Sequence, residues 1–160
     1  MRYLLAAFLA FSSASAGSAA DGSAAPAADA TCPGKPGPVR LFVSVEGVRS
    51  SQGLIAITLY PDDPHRFLAH HGSLYVARVP AHAPVTRTCV RLPSLGTFGL
   101  AAYHDADGDH HFGRNAIGMP REAYGFSNNP PTFFGLPSFK SVRFPVTRPD
   151  QEMRIRLRYP

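Results

Sequence analysis

The chain has 160 residues, 44% hydrophobic and 17% charged, which is the length of one domain and too apolar for a disordered protein. Its 16 prolines and 14 glycines argue against a helical body, because both residues interrupt helices and favour turns between short strands. The formal charge of +5 comes largely from scattered arginines rather than one basic block, so we expect no nucleic-acid partner.

Residues 1–20 contain the parts of a secretory signal peptide in order. Arg2 supplies the positive start, residues 3–11 form the apolar segment, and cleavage is expected after Ala16 or Ala20. The apolar segment is about half the ~20 residues that a membrane-spanning helix needs, so we expect no transmembrane segment in the mature chain. The sequence therefore predicts a periplasmic or secreted protein, in which residues 21–38 form a flexible lead rich in Ala, Ser, Asp, Gly and Pro.

Two cysteines in an exported protein are expected to form a disulfide, here between Cys32 and Cys89. Cys32 lies in the lead, and Cys89 lies in a strand-like segment where Thr88 and Val90 point to the opposite face. A lead that crosses the outer face of the sheet would meet Cys89 there. The alternative is a pair of free thiols.

Strand-like segments bounded by turn residues dominate the chain from residue 39 onward. One short helix is predicted near residues 63–71, between the second and third segments. Asp63 would cap it, Pro64 would lie in its first turn, and Gly72 would follow its end. The sequence predicts an all-β fold over residues 39–160, an antiparallel β-sandwich of immunoglobulin-like or prealbumin-like type, with a small barrel as the alternative. The seven segments are 39–48, 54–60, 74–79, 86–92, 97–104, 142–146 and 153–158.

An acidic loop follows the fifth segment. Asp105, Asp107 and Asp109 alternate as oxygen ligands do in calcium-binding loops, and Asn115 is a candidate fourth ligand. The loop is not an EF-hand, since His110 takes the place of its glycine. One alternative is a turn held by hydrogen bonds from side chains to backbone. Another is a transition metal, since the histidines His104, His110 and His111 lie close in sequence to these carboxylates, and such a site would suit a metal-dependent hydrolase.

The connection from residue 116 to 131 is long, aperiodic and rich in aromatic and amide side chains. Tyr124 and Phe126 are candidates for stacking on a ligand, and Asn128 and Asn129 for fixing its orientation. The alternative is that the aromatic side chains close the end of the sandwich. No nucleophile with an activating context is evident, so no catalytic residue is assigned.

Three segments resemble the bacterial exported proteins grouped as domain-of-unknown-function family 2141, over about residues 39–159. Relatives usually have Gly at the position of His110 and Asp at that of Gly113. The resemblance implies an exported β-sandwich without an assigned activity and brings no catalytic residues. The segments are Tyr103-His104-Asp105-x-Asp107-Gly108-Asp109, Gly118-Met119-Pro120-x-Glu122-x-Tyr124-Gly125-Phe126-Ser127-Asn128-Asn129 and Phe134-Gly135-x-Pro137-Ser138-Phe139.

Together these patterns predict an exported envelope protein of unknown activity. It would be a non-catalytic binding or structural module that uses the loops between residues 104 and 139, with calcium as a stabilising ion. The metal-dependent hydrolase is the alternative.

Overall fold

The computed structural model describes residues 32–33, 35–132 and 135–160, so the signal-peptide prediction and most of the lead fall outside the described residues. The described chain forms eight strands and one helical turn. In chain order they are β1 (Val39–Glu46), β2 (Leu54–Pro61), β3 (Tyr75–Pro80), β4 (Val85–Leu92), β5 (Gly96–Asp105), β6 (Tyr124–Phe126), α1 (Phe139–Val142), β7 (Phe144–Val146) and β8 (Gln151–Arg156).

The strands form two sheets. One has the order β4-β1-β8, and the other has the order β3-β2-β5-β6, with β7 paired to the start of β5. All pairs are antiparallel except β1 with β8, which run parallel. The prediction of an all-β sandwich is confirmed, although the pair of β1 with β8 is parallel where the sequence predicted antiparallel strands. The assignment to an immunoglobulin-like or prealbumin-like type stays a prediction.

The core follows from the alternation of side chains along the strands. In β1, Leu41, Val43 and Val45 are buried, whereas the residues between them are half-buried. In β2, Ile55 and Ile57 are fully buried in the same hydrophobic cluster. Each such side chain contributes about 1.5–3 kcal/mol when it leaves water.

The two sheets approach each other closely at the edge formed by β6 and β8. Tyr124 and Arg158 exchange two backbone hydrogen bonds, of 3.0 and 2.8 Å. Gly125 makes this approach possible, because a Cβ atom there would lie 2.5 Å from the carbonyl oxygen of Arg156. The β6 edge of the five-stranded sheet is therefore tied to the opposite sheet.

The predicted helix near residues 63–71 is wrong. Three successive turns replace it, joined by backbone hydrogen bonds of 3.2, 3.3 and 3.0 Å, and Leu68 has a positive φ of 57° that no α-helix accommodates. These turns let the ring of Phe67 pack against Tyr60, Phe126 and Phe139, with centroid distances of 5.2, 5.9 and 5.5 Å. The helical turn of the described chain is instead α1, and the strand predicted over residues 142–146 is shortened to β7.

The disulfide prediction is confirmed. The Sγ atoms of Cys32 and Cys89 are 2.05 Å apart. Cys89 pairs in register with Phe42, on the face of the three-stranded sheet that points away from the core, and both bonded cysteines are buried there. Within the described residues, no helix has the length and hydropathy of a membrane span.

Tyr75 links the sheets through its hydroxyl, which donates to the carbonyl oxygen of Arg91. Burial raises the pKa of Tyr75 to about 12, against the lowering effect of this hydrogen bond. Because the folded pKa exceeds the ordinary value of 10.0, the folded state should lose stability as pH rises through this window. We expect Tyr75→Phe to show a smaller loss, measured by urea denaturation at each pH. Equal losses in both proteins would contradict this assignment.

Candidate functional site

The outer face of the five-stranded sheet carries both features that the sequence singled out. Alternation along β5 places Tyr103 and Asp105 on this face and His104 on the opposite face, toward the other sheet. The ring of His104 is buried, with Nε2 at 2.8 Å from the Gln52 carbonyl oxygen and Nδ1 at 3.3 Å from the Tyr159 hydroxyl. His104 is thus held on the other side of the strand from the acidic loop.

Four carboxylates form what we call the acidic cluster: Asp105, Asp107, Asp109 and Glu122. Each contributes one oxygen, and these oxygens all lie within 4.8 Å of one another. Asp105 is fully buried, Glu122 is half-buried, and the other two are exposed. No histidine belongs to this group in the parts of the chain that the structure describes.

Backbone hydrogen bonds hold the three aspartates in place. Asp105 Oδ2 accepts from the His110 N–H at 3.0 Å, and Asp109 Oδ1 accepts from the His111 N–H at 2.7 Å. Asp107 Oδ1 accepts from the N–H of Asp109 at 3.3 Å. Such bonds are typical of an Asp/Gly-rich turn. The turn therefore gives one carboxylate oxygen of each aspartate a hydrogen-bond donor.

The second oxygen of Asp105 is not explained by the turn. Asp105 Oδ1 is buried and has no hydrogen-bond partner in the described protein. An unpartnered buried acceptor costs about 1–3 kcal/mol, and more when it carries charge. A cation within the cluster would remove this cost, and a set of hard carboxylate oxygens fits calcium better than zinc or copper.

Glu122 completes the cluster from within the long connection, just before β6. Its Oε2 accepts from the Gly113 N–H at 3.0 Å. Burial raises the pKa of Glu122 above its ordinary value, that hydrogen bond lowers it, and the charges of Asp105, Asp107 and Asp109 raise it. Sequence reasoning missed Glu122 as a ligand, although the family-like segment Gly-Met-Pro-x-Glu contains it.

Asn115, the predicted fourth ligand, is engaged in its own turn. Its Oδ1 accepts from the backbone N–H groups of Ile117 and Met119, at 3.1 and 2.9 Å. Arg78, which the sequence did not single out, contacts the acidic loop instead: its Nη2 donates to the carbonyl oxygen of His110 at 3.1 Å. This contact ties the loop to β3.

A row of aromatic rings lies beside the acidic cluster. Phe112 packs edge-to-face on Tyr103 and on Tyr124, with ring centroids 5.4 and 5.9 Å apart, and Tyr124 contacts Phe126 in the same way at 5.9 Å. These rings line a groove of about 250 Å³, which we call the aromatic groove. Its walls also include Tyr60, Arg114 and Leu136.

The four side chains predicted to bind a ligand therefore have two different surroundings. Tyr124 and Phe126 line the aromatic groove. Asn128 donates from Nδ2 to the Arg143 carbonyl oxygen at 2.9 Å, and Asn129 accepts from the Arg156 N–H at 2.7 Å through Oδ1. The two amides bind neighbouring segments of the chain.

Ser127 joins β5 to the end of α1. Its fully buried Oγ accepts from the Leu100 N–H at 3.0 Å and donates to the Val142 carbonyl oxygen at 2.6 Å. Ser127→Ala should lower the free energy of unfolding by about 2 kcal/mol, because the buried Leu100 N–H loses its acceptor, while the Val142 carbonyl oxygen keeps the Asn128 Nδ2 donor at 3.2 Å. Urea denaturation measures the loss. The exposed Ser141→Ala is the control and should change little; equal effects of the two substitutions would contradict the assignment.

These observations define an all-β protein of two sheets with an acidic cluster and an aromatic groove on one outer face. The chain belongs to the domain-of-unknown-function family 2141, described as an uncharacterized protein conserved in bacteria, whose model matches residues 43–154. The resemblance seen in the sequence is confirmed, and the matched region contains the whole acidic cluster. Searches of curated proteins and of solved structures each gave no match.

Proposed function

We propose that this chain is an exported envelope protein whose sandwich is a non-catalytic binding module with calcium bound in the acidic cluster. Export is supported by the signal-like order of residues 1–20. It is also supported by the Cys32–Cys89 disulfide, since such bonds persist in oxidising compartments such as the periplasm.

One observation carries the calcium proposal: the buried Asp105 Oδ1 has no partner among the described residues. A folded protein gains nothing by burying a bare carboxylate oxygen, unless another group neutralises it. Calcium takes six to eight oxygen ligands in flexible geometry, so four carboxylates with backbone carbonyls or water suit it. Its charge also offsets the mutual repulsion of the four carboxylates.

Calcium at this position would link three segments of the chain. Asp105 ends β5, Asp107 and Asp109 lie in the loop, and Glu122 comes just before β6. The loop continues to Phe112, whose ring lies between Tyr103 and Tyr124 in the wall of the aromatic groove. The ion would therefore fix the groove as a binding surface.

Isothermal titration calorimetry of chelator-treated protein with calcium tests the proposal. We expect one ion per chain in the native protein, and at least about tenfold weaker binding in Asp105→Asn and in Glu122→Gln. Glu152→Gln is the matched control, because it removes one exposed negative charge from β8 in the other sheet. Absence of calcium binding, or equal affinities in all four proteins, would overturn the proposal.

A further inference from the structure

The aromatic groove has the size and the lining of a site for one small ring system. Its volume of about 250 Å³ is just below the range of pockets that take drug-sized ligands. Exposed apolar side chains border it, since Leu68 and Leu136 are 38% and 47% exposed. The groove is therefore open at the outer face of the sheet rather than enclosed within the core.

The rings in its wall are arranged to accept a further ring. Phe112 contacts both Tyr103 and Tyr124 edge-to-face, which is the arrangement that the aromatic quadrupole favours. A planar aromatic ligand in the groove would contact the edges and faces of these rings, which the sheet and the loop already hold in position. Such contacts stabilise a bound ring beyond the burial of its area.

One cationic side chain in the groove wall gives the site its charge preference. Arg114 donates from Nη1 to the Gly118 carbonyl oxygen at 2.9 Å, and its guanidinium carbon lies 5.3 Å from the centre of the Phe112 ring. Within the described chain, no carboxylate forms an ion pair with Arg114. A guanidinium has five N–H donors, so Arg114 retains donors for an anionic group.

From these contacts we propose that the aromatic groove binds a small aromatic carboxylate, with the ring among Tyr103, Phe112 and Tyr124 and the carboxylate on Arg114. This inference rests on the proposed binding function and names its ligand class. The acidic cluster on the same loop repels an anion, and calcium in the cluster removes that repulsion. Calcium therefore raises the affinity for the carboxylate, and by linkage the carboxylate raises the affinity for calcium.

Two probes of nearly equal shape test the ligand class. 1-Naphthoate carries the carboxylate, and 1-naphthamide is its neutral counterpart. Calorimetry on the calcium-loaded protein should show naphthoate binding about tenfold more tightly. Arg114→Gln should abolish this preference and leave the naphthamide affinity unchanged. Arg121→Gln is the control, because Arg121 is a nearby exposed arginine outside the groove lining, and this variant should keep the preference.

Absence of naphthoate binding, or an undiminished preference in Arg114→Gln, would overturn the inference. The two proposals fail in different ways. Calcium binding without an Arg114-dependent preference overturns the ligand class alone. An Arg114-dependent preference in a chain that binds no calcium overturns the calcium site and its linkage to the groove, and leaves the ligand class standing.

Discussion

Replacing both Cys32 and Cys89 by Ala should lower the free energy of unfolding by about 4 kcal/mol. The disulfide closes a loop between residues 57 positions apart, and the entropy that such a loop removes from the unfolded chain corresponds to about this value. A domain of this size has only about 5–15 kcal/mol of stability in total, so the variant should unfold at a much lower urea concentration.

The double substitution is preferred over a single one, because it leaves no free thiol to form other disulfides. Wild-type protein denatured with and without a reductant provides the matched control. The oxidised wild type should lose stability on reduction, whereas the variant should not respond. An unchanged urea midpoint in the variant would show that the lead adds nothing to the stability of the sandwich.

Asp105→Asn should have opposite consequences with and without calcium. At a calcium concentration about 100 times the dissociation constant, the bound ion stabilises the native state by about 2.7 kcal/mol, and a variant that binds about tenfold more weakly should lose about half of this or more. In a chelator, the variant should be at least as stable as the wild type. Its amide can still accept from the His110 N–H, while its N–H₂ replaces the unpartnered Oδ1 and donates toward the neighbouring carboxylates.

Thermal unfolding of both proteins in calcium and in chelator measures this reversal. Glu152→Gln is again the control and should respond to calcium as the wild type does. If Asp105→Asn were destabilised equally in both media, the carboxylate would act through protein contacts alone. Calcium would then have no part in holding the loop.

The sheets could be predicted from the sequence because strand alternation is a local signal. Leu41, Val43 and Val45 alternate with polar residues, and each is buried as the pattern requires. The disulfide could be predicted because only two cysteines are present. The parallel pairing of β1 with β8 was not predicted, because it joins strands from opposite ends of the domain.

The failures have non-local causes. The turns that replace the predicted helix follow from the packing of Phe67 against Phe126 and Phe139, which come from distant parts of the chain. β6 has three residues, which are too few for a periodic pattern. A glycine such as Gly125 indicates a loop in the sequence, whereas in the structure it allows the close approach of the Arg156 backbone. Three of the four carboxylates in the acidic cluster were predicted, and Glu122 was not, since the irregular chain from residue 110 to 121 separates it from the three aspartates.

A crystal structure of the calcium-soaked protein, with calcium located by its anomalous scattering, tests the central claim most directly. The account predicts one ion between Asp105, Asp107, Asp109 and Glu122, with Asp105 Oδ1 among its ligands at about 2.3–2.6 Å. Carboxylates that turn to solvent around an empty cluster, or a calcium ion bound elsewhere on the chain, would contradict it.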